Sequence, residues 1–144
     1  YHGARIILRD MPSWLDRSEG FREYLEGTVL VPVPLHRRRL GSRGFNQSEW
    51  IAHAFRKAVG PSVEVVHVLK RKKNTPTQTK LDRSQRKENV KNAFALTRKN
   101  HLRKEDRIML IDDVFTTGAT LNACAEVLRE EGLSQVSIAT LGHG

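Results

Sequence analysis

The sequence contains a single cysteine, Cys124, among 144 residues. An intrachain disulfide and a cysteine-based zinc site are therefore both excluded within it. Long apolar runs are missing as well. No stretch approaches the roughly 20 residues that a membrane-spanning helix needs, and the N-terminus lacks the pattern of a signal peptide. We therefore expect a cytoplasmic protein with no membrane association.

Acidic residues are too few to balance the basic ones. The chain has 25 Lys and Arg against 16 Asp and Glu, which gives a formal net charge of +9. Such a charge fits a nucleic acid partner or a phosphorylated small molecule, but it is also compatible with simple solubility. The basic residues are concentrated in residues 36–43 and 70–91. Because runs of charge are often only solvated faces, these patches alone do not select among the three interpretations.

Apolar residues occur in short runs that alternate with helical patterns. Strands are predicted at residues 28–34, 63–69, 107–111 and 135–141, and helices at 46–59 and 119–131. Strands separated by helices favour an α/β fold with a mostly parallel central sheet and helices on both faces.

The pattern also predicts how the chain is organised. We expect a single domain over residues 1–144, which is an ordinary length for one hydrophobic core. Residues 1–27 are predicted to form an N-terminal helical piece that is broken by Pro12 and Gly20. The basic, apolar-poor residues 70–93 are predicted to form a flexible lid.

The segment IDDVFTTGAT, residues 111–120, carries the clearest chemical signal. Asp112 and Asp113 follow an apolar strand, and ligands of parallel sheets bind beyond the carboxyl ends of the strands. The next helix directs its amides and positive dipole end into the turn Thr116–Thr120, where an anion is stabilised. Gly118 would let the backbone approach a phosphate, and carboxylates accept hydrogen bonds from the vicinal hydroxyls of a sugar. These residues together predict a ribose 5-phosphate site.

The acid pair also allows other interpretations. A Walker B element is disfavoured because no G-x-x-x-x-G-K-[ST] loop exists, and the paired acids of response-regulator receivers follow the first strand rather than a late one. A purely structural role, in which Asp113 caps a helix and the threonines pack, stays open.

Three residue types outside this segment carry weaker signals. Cys124 falls on an apolar helix face and is predicted to pack, while Trp14 and Trp50 are expected in the core or an interface. The six histidines show no metal-ligand spacing, and only His36 is a site candidate.

IMLIDDVFTTGAT resembles the phosphoribosyl diphosphate motif of type I phosphoribosyltransferases. VPVPLHRRRLGSRGFNQS, TPTQTKLDRSQRKENVKNAF and this motif, in that order, resemble the competence protein F (ComF) family. The resemblance covers nearly the whole chain from Thr28 onward. It implies a type I phosphoribosyltransferase fold that binds phosphoribosyl diphosphate, transfers the pentosyl group and releases pyrophosphate.

The resemblance also implies roles for individual residues. Asp112 and Asp113 would be catalytic and hold the ribose hydroxyls, with the 5-phosphate site continuing through Val114, Phe115, Thr116, Thr117, Gly118, Ala119 and Thr120. Pyrophosphate would be bound by His36, Arg37, Arg38 and Arg39. The lid would contribute Arg71, Thr77, Gln78, Arg86 and Asn89. The implied cofactor is magnesium, held through the ligand rather than directly by protein side chains.

The ComF resemblance further implies a part in natural competence, with single-stranded DNA and a helicase-like competence protein as partners. A non-catalytic module that binds single-stranded DNA or senses phosphoribosyl diphosphate is the alternative. The neighbourhood of Tyr1 resembles the sequence after the zinc-binding module of this family, so such a module is expected upstream. Thr116 replaces an acid of purine-salvage enzymes, which argues against hypoxanthine or guanine as acceptor, and Lys80 stands where the lid is expected to have glycine. Neither an acceptor nor an oligomeric state is predicted.

Overall fold

The main sheet is built around one long strand, Arg107–Phe115. The computed structural model describes residues 10–18, 20–35, 40–41, 44–72, 92–97 and 101–144. The helices are α1 (Met11–Arg17), α2 (Phe21–Leu25), α3 (Gln47–Val59) and α4 (Ala119–Glu130). The strands are β1 (Thr28–Pro32), β2 (Glu64–Val65), β3 (Leu69–Arg71), β4 (Phe94–Leu96), β5 (Arg107–Phe115) and β6 (Val136–His143).

Four strands form the main sheet in the order β2-β1-β5-β6, and every neighbouring pair is parallel. The predicted α/β architecture with a mostly parallel sheet is thereby confirmed. Strands β3 and β4 form a separate antiparallel pair that the sequence pattern did not predict.

Alternate residues of β5 supply two core layers, one on each face of the sheet. Ile108 and Leu110 pack with the apolar face of α4 and with residues of β3 and β4. Met109 and Ile111 pack with α1, α2 and α3. Helices therefore cover both faces, as predicted.

Two predicted helices agree closely with the structure. Helix α3 begins one residue later than expected because Asn46 is its N-cap, with Oδ1 accepting a hydrogen bond from the Ser48 N–H. Helix α4 ends at Glu130, and Gly132 follows in a left-handed conformation with its N–H bonded to the Arg129 carbonyl. This is the C-terminal stop predicted from glycine.

Other boundaries were wrong. The apolar run 63–69 is not one strand, because only Glu64–Val65 joins the main sheet and Leu69 begins β3. Pro12 lies in the first turn of α1, where the missing N–H of proline costs no helical bond. Residues 1–9 lie outside the described residues, so a break at Pro12 stays a prediction.

The ends of the predicted lid belong to the packed structure. Residues 70–71 lie in β3, and Ala93 is fully buried. Residues 73–91, which contain Thr77, Gln78, Arg86 and Asn89, lie outside the described residues. Within the part of the chain that the structure describes, no helix is both long and apolar enough to cross a membrane.

Candidate functional site

The acid pair lies where β5 continues beyond its neighbour β1. Strand β1 pairs with β5 only as far as Ile111, and the Val33 N–H donates the last bond to the Ile111 carbonyl at 2.9 Å. Strand β6 stays paired with β5 to Phe115. The prediction that the acids follow the strand was therefore wrong in detail, because Asp112 and Asp113 are part of β5. They nevertheless lie past the carboxyl end of β1, where a ligand can reach them.

The Asp112 carboxylate is fixed by hydrogen bonds from two directions. Its Oδ1 accepts from the Ser48 hydroxyl at 3.0 Å and from the backbone N–H of Asp113 at 3.0 Å. Ser48 is buried at the start of α3. The first turn of α3 is thus connected directly to the acid pair of β5.

The pKa of Asp112 is raised from 3.8 to about 6, first by burial and second by the neighbouring charge of Asp113, against the lowering effect of the Ser48 hydrogen bond. Two adjacent carboxylates in a partly dry cleft repel each other, so one of them holds its proton more tightly. Asp112 therefore changes charge close to neutral pH.

Asp113 and the threonine turn face the same cleft. Asp112, Asp113, Thr116 and Thr120 line a space of ≈ 250 Å³. The same space is lined by residues 33–35 after β1, by residues 46–48 at the start of α3, and by Arg71. With Val114 and Arg71, the structure thus brings together six of the predicted site residues on one concave surface.

The turn itself is held by Gly118. This residue is the N-cap of α4 and has φ +71°, the left-handed region that favours glycine, with no side-chain cap bond. A Cβ here would lie 3.1 Å from two carbons of the Phe115 ring. The expected reason for glycine was close approach to a phosphate, but the structure gives two reasons of its own, which are the backbone conformation and the packed ring.

A narrow crevice opens at the start of α4. It is lined by Asp112, by residues 114–116 and by residues 118–121, and it has a volume of ≈ 30 Å³. The Ala119 N–H donates a long bond of 3.4 Å to the Thr117 hydroxyl. The crevice thus lies at the N-terminal end of a helix, where an anion is favoured.

Phe115 and Val114, both predicted to belong to the site, have different positions. The Phe115 ring stacks on His143, with 5.7 Å between ring centroids, and packs against the core. Val114 is 44% exposed and lines the cleft. Phe115 therefore supports the turn, while Val114 is available to a ligand.

Arg71 is the member of the predicted lid that the structure places at the site. It lies at the end of β3, lines the cleft, and has its guanidinium 5.3 Å from the centroid of the Phe94 ring. Its charge also lowers the pKa of Cys124, opposing burial and Asp112, which both raise it. Arg71 thus supplies positive charge to the cleft that the threonine turn also lines.

Asn46 and Ser48 are site residues to which the sequence reading gave no role. Asn46 is buried, and its Nδ2 donates to the Val33 carbonyl at 3.0 Å. It thereby ties the segment after β1 to the start of α3. A signal was present, because Asn46 with Glu49 three residues later is a typical helix N-terminal pair. That pattern predicts a cap but not its contact with the acids.

The remaining predictions have mixed outcomes. Cys124 is buried, and burial raises the pKa of its thiol, so the expected packing role is confirmed. Trp14 is 48% exposed but contacts Phe21 and Phe55, and Trp50 stacks on Phe45 at 4.3 Å. His36, Arg37, Arg38 and Arg39 lie outside the described residues.

Replacement of Gly118 by alanine should destabilise the protein in two ways. The left-handed backbone costs an alanine about 1–2 kcal/mol, and the contact with Phe115 adds to that cost. Gly20 is a matched control, since it caps α2 with φ +76° and a Cβ there meets nothing within 4 Å. Chemical unfolding should show a larger loss for Gly118→Ala than for Gly20→Ala. Equal losses would contradict the role given to Phe115.

Removal of the Asp112 charge should stabilise the protein more in alkaline than in acidic solution. Because the folded-state pKa is raised to about 6, the native state binds the proton more tightly, and wild-type stability from this group falls as pH rises from about 4 to about 6. Asp112→Asn should therefore raise the free energy of unfolding by about 1–3 kcal/mol at pH 8, with a smaller gain at pH 4. Urea unfolding at both pH values, with the exposed Glu105→Gln as control, measures this. A less stable Asp112→Asn at pH 8 would refute it.

Comparison with known proteins agrees with this geometry. Residues 42–143 match the family model described as the phosphoribosyl transferase domain. Competence protein F of Haemophilus influenzae is 34% identical over 111 residues, which is 76% of this chain and 48% of that protein. Competence protein ComFC of Streptococcus pneumoniae is 30% identical over 141 residues, covering 98% of this chain and 58% of the relative.

A third relative carries a different name. The DNA utilization protein YhgH of Escherichia coli strain K12 is 37% identical over 110 residues, 76% of this chain and 46% of that protein. The chain thus spans about half the length of the curated relatives it matches. With a parallel sheet, a matched domain and these relatives, the chain belongs to the phosphoribosyl transferase domain family and, within it, to the ComF family.

Proposed function

We propose that the chain binds phosphoribosyl diphosphate together with magnesium and acts as a phosphoribosyltransferase. The observation that carries the proposal is the single cleft in which Asp112 and Asp113 face Thr116 and Thr120. Carboxylates accept hydrogen bonds from sugar hydroxyls, while the start of a helix stabilises a phosphate. A ribose 5-phosphate group needs both kinds of partner a few ångströms apart.

The charges of the cleft suit the proposed chemistry. Loss of pyrophosphate from the anomeric carbon develops positive charge on the sugar, which the Asp112 and Asp113 carboxylates would stabilise. The elevated pKa of Asp112, about 6, leaves this acid mostly ionised at neutral pH. Arg71, which lines the same cleft, would balance the negative charge that accumulates on the leaving group. A cleft closed over the donor would also exclude water, which otherwise hydrolyses it.

The side chains around the cleft fit a magnesium ion that reaches the site with the donor. Magnesium prefers oxygen ligands and usually keeps several waters while binding substrate phosphates. The Asp112 Oδ1 already accepts two hydrogen bonds, so this oxygen is committed to positioning. When bound, magnesium supplies neutralisation of pyrophosphate charge. The acids of this chain would then hold the sugar rather than the metal.

The biological setting is proposed from the relatives. Their names refer to competence and to DNA utilization. We infer a part for this chain in the uptake or use of external DNA, alongside a helicase-like competence protein.

Removal of one acid tests sugar binding directly. Asp113→Asn keeps the shape of the side chain but loses the charge that accepts from a sugar hydroxyl. Because a hydrogen bond to a charged group is worth about 1.5–3 kcal/mol, affinity for phosphoribosyl diphosphate should fall by roughly 10-fold to 100-fold. Isothermal titration in magnesium-containing buffer measures the change, and ribose 5-phosphate should show the same loss.

Glu105→Gln is the matched control, because this exposed acid precedes the opposite end of β5. It should bind the sugar phosphate as the wild type does. If wild-type protein binds neither compound, the proposed function is wrong. If Asp113→Asn binds both normally, the sugar site is elsewhere. Release of pyrophosphate in a screen of nucleobases and amines would then separate an enzyme from a sensor.

Binding of single-stranded DNA is the second candidate function, favoured by the net charge of +9 and by the relatives named for DNA utilization. Affinity for a single-stranded oligonucleotide should fall steeply as salt is raised, because phosphate contacts release counterions. Asp113→Asn should leave this affinity unchanged, since no acid of the cleft is needed for backbone contacts. Fluorescence anisotropy at several salt concentrations tests both expectations. Salt-independent binding, or no binding at low salt, would reject the DNA function.

A further inference from the structure

Glu49, His53 and His67 come together on the surface beside the cleft, and we propose that they bind a divalent transition metal ion, with zinc as the best fit. One possible ligand atom from each of the three residues lies within 4.8 Å of the others. None of the three lines the cleft assigned to the sugar phosphate. The metal site is therefore a second site, distinct from that of magnesium.

One helix and one connecting segment supply the three side chains. Glu49 and His53 are four residues apart on α3, a spacing that puts both on one face of a helix. His67 lies between β2 and β3. The parallel pairing of β1 with β2 brings the chain after β2 next to the beginning of α3. The group could not be read from sequence spacing, because His67 reaches it only through the fold.

The distances fit a metal after small side-chain rotations. The Glu49 Oε1 and His67 Nε2 are 3.1 Å apart. Two ligands of a tetrahedral zinc ion, each about 2.0–2.1 Å from the metal, are separated by roughly 3.3 Å. The rings of His53 and His67 have centroids 6.2 Å apart and planes inclined by 35°, so both can turn a nitrogen toward the same point. The Glu49 and His67 side chains are 40% and 52% exposed, which leaves them free to rotate.

The donor set selects the kind of ion. Two imidazole nitrogens with one carboxylate suit zinc and other late divalent transition metals, whereas magnesium and calcium prefer oxygen alone. Three protein ligands leave one tetrahedral position for water or for a group of a bound molecule. Glu49 directly follows Ser48, the residue that holds Asp112. A metal here would brace the turn of α3 that positions the acid pair.

Titration with zinc chloride, using protein without a polyhistidine tag, tests the site. We expect one saturable equivalent for wild type and no competition from excess magnesium. His53→Ala and His67→Ala should each weaken binding by more than about 100-fold, since loss of an outer partner alone costs about 10-fold to 100-fold. Cobalt gives an independent readout, because the visible spectrum of the bound ion reports coordination by nitrogen and oxygen.

His101→Ala is the matched control, because His101 is exposed and is not part of the group. It should bind zinc as wild type does. Asp113→Asn should also bind zinc normally, which separates this site from the proposed sugar site. Unaltered zinc affinity in both His53→Ala and His67→Ala, or the absence of saturable binding in wild type, would overturn the proposal. Both histidines are exposed, so melting curves without zinc should show that the variants are folded.

Discussion

The pairing of β5 with strands on both sides is the constraint from which the rest of the structure follows. Its alternate side chains build two separate apolar layers, Ile108 and Leu110 on one face and Met109 and Ile111 on the other. A shift of one residue would exchange the two faces, so the register is strongly specified. Asp112 is the next residue of β5 and the first charged one after this buried apolar run. Its charge also raises the pKa of Cys124 on α4, so the acid acts on groups beyond the cleft.

The partly buried carboxylate of Asp112 connects the acid pair of β5 with the start of α3. A protein that needed stability alone would not place two adjacent carboxylates in a partly dry cleft, because each raises the cost of ionising the other. The Ser48 hydroxyl offsets part of that cost for Asp112. Such an unfavourable arrangement is typical of sites in which stability is exchanged for function. The start of α3 is accordingly fixed by further hydrogen bonds. Buried Asn46 connects α3 to the segment after β1.

Much of the fold could be predicted because local patterns and long-range packing agree. Helices α3 and α4 have apolar faces and clear ends, and β1 and β5 are apolar runs buried in the sheet. Prediction failed where tertiary contacts decide, as in residues 63–69, where one apolar run is divided between two sheets. The acids and the turn of the site are contiguous and could be found by motif. Ser48 and the group around His67 depend on contacts between distant segments, which no spacing reveals.

The unequal lengths of β1 and β5 give the sheet a stepped margin. Strand β1 ends at Pro32, opposite Ile111, whereas β6 accompanies β5 to its last residue. Beyond the step, the described residues of β5 pair with β6 and no longer with β1. Residues 33–35 and 46–48, rather than a neighbouring strand, line the cleft beside the acids. The difference in length between two adjacent strands thus sets where in the sheet the cleft lies.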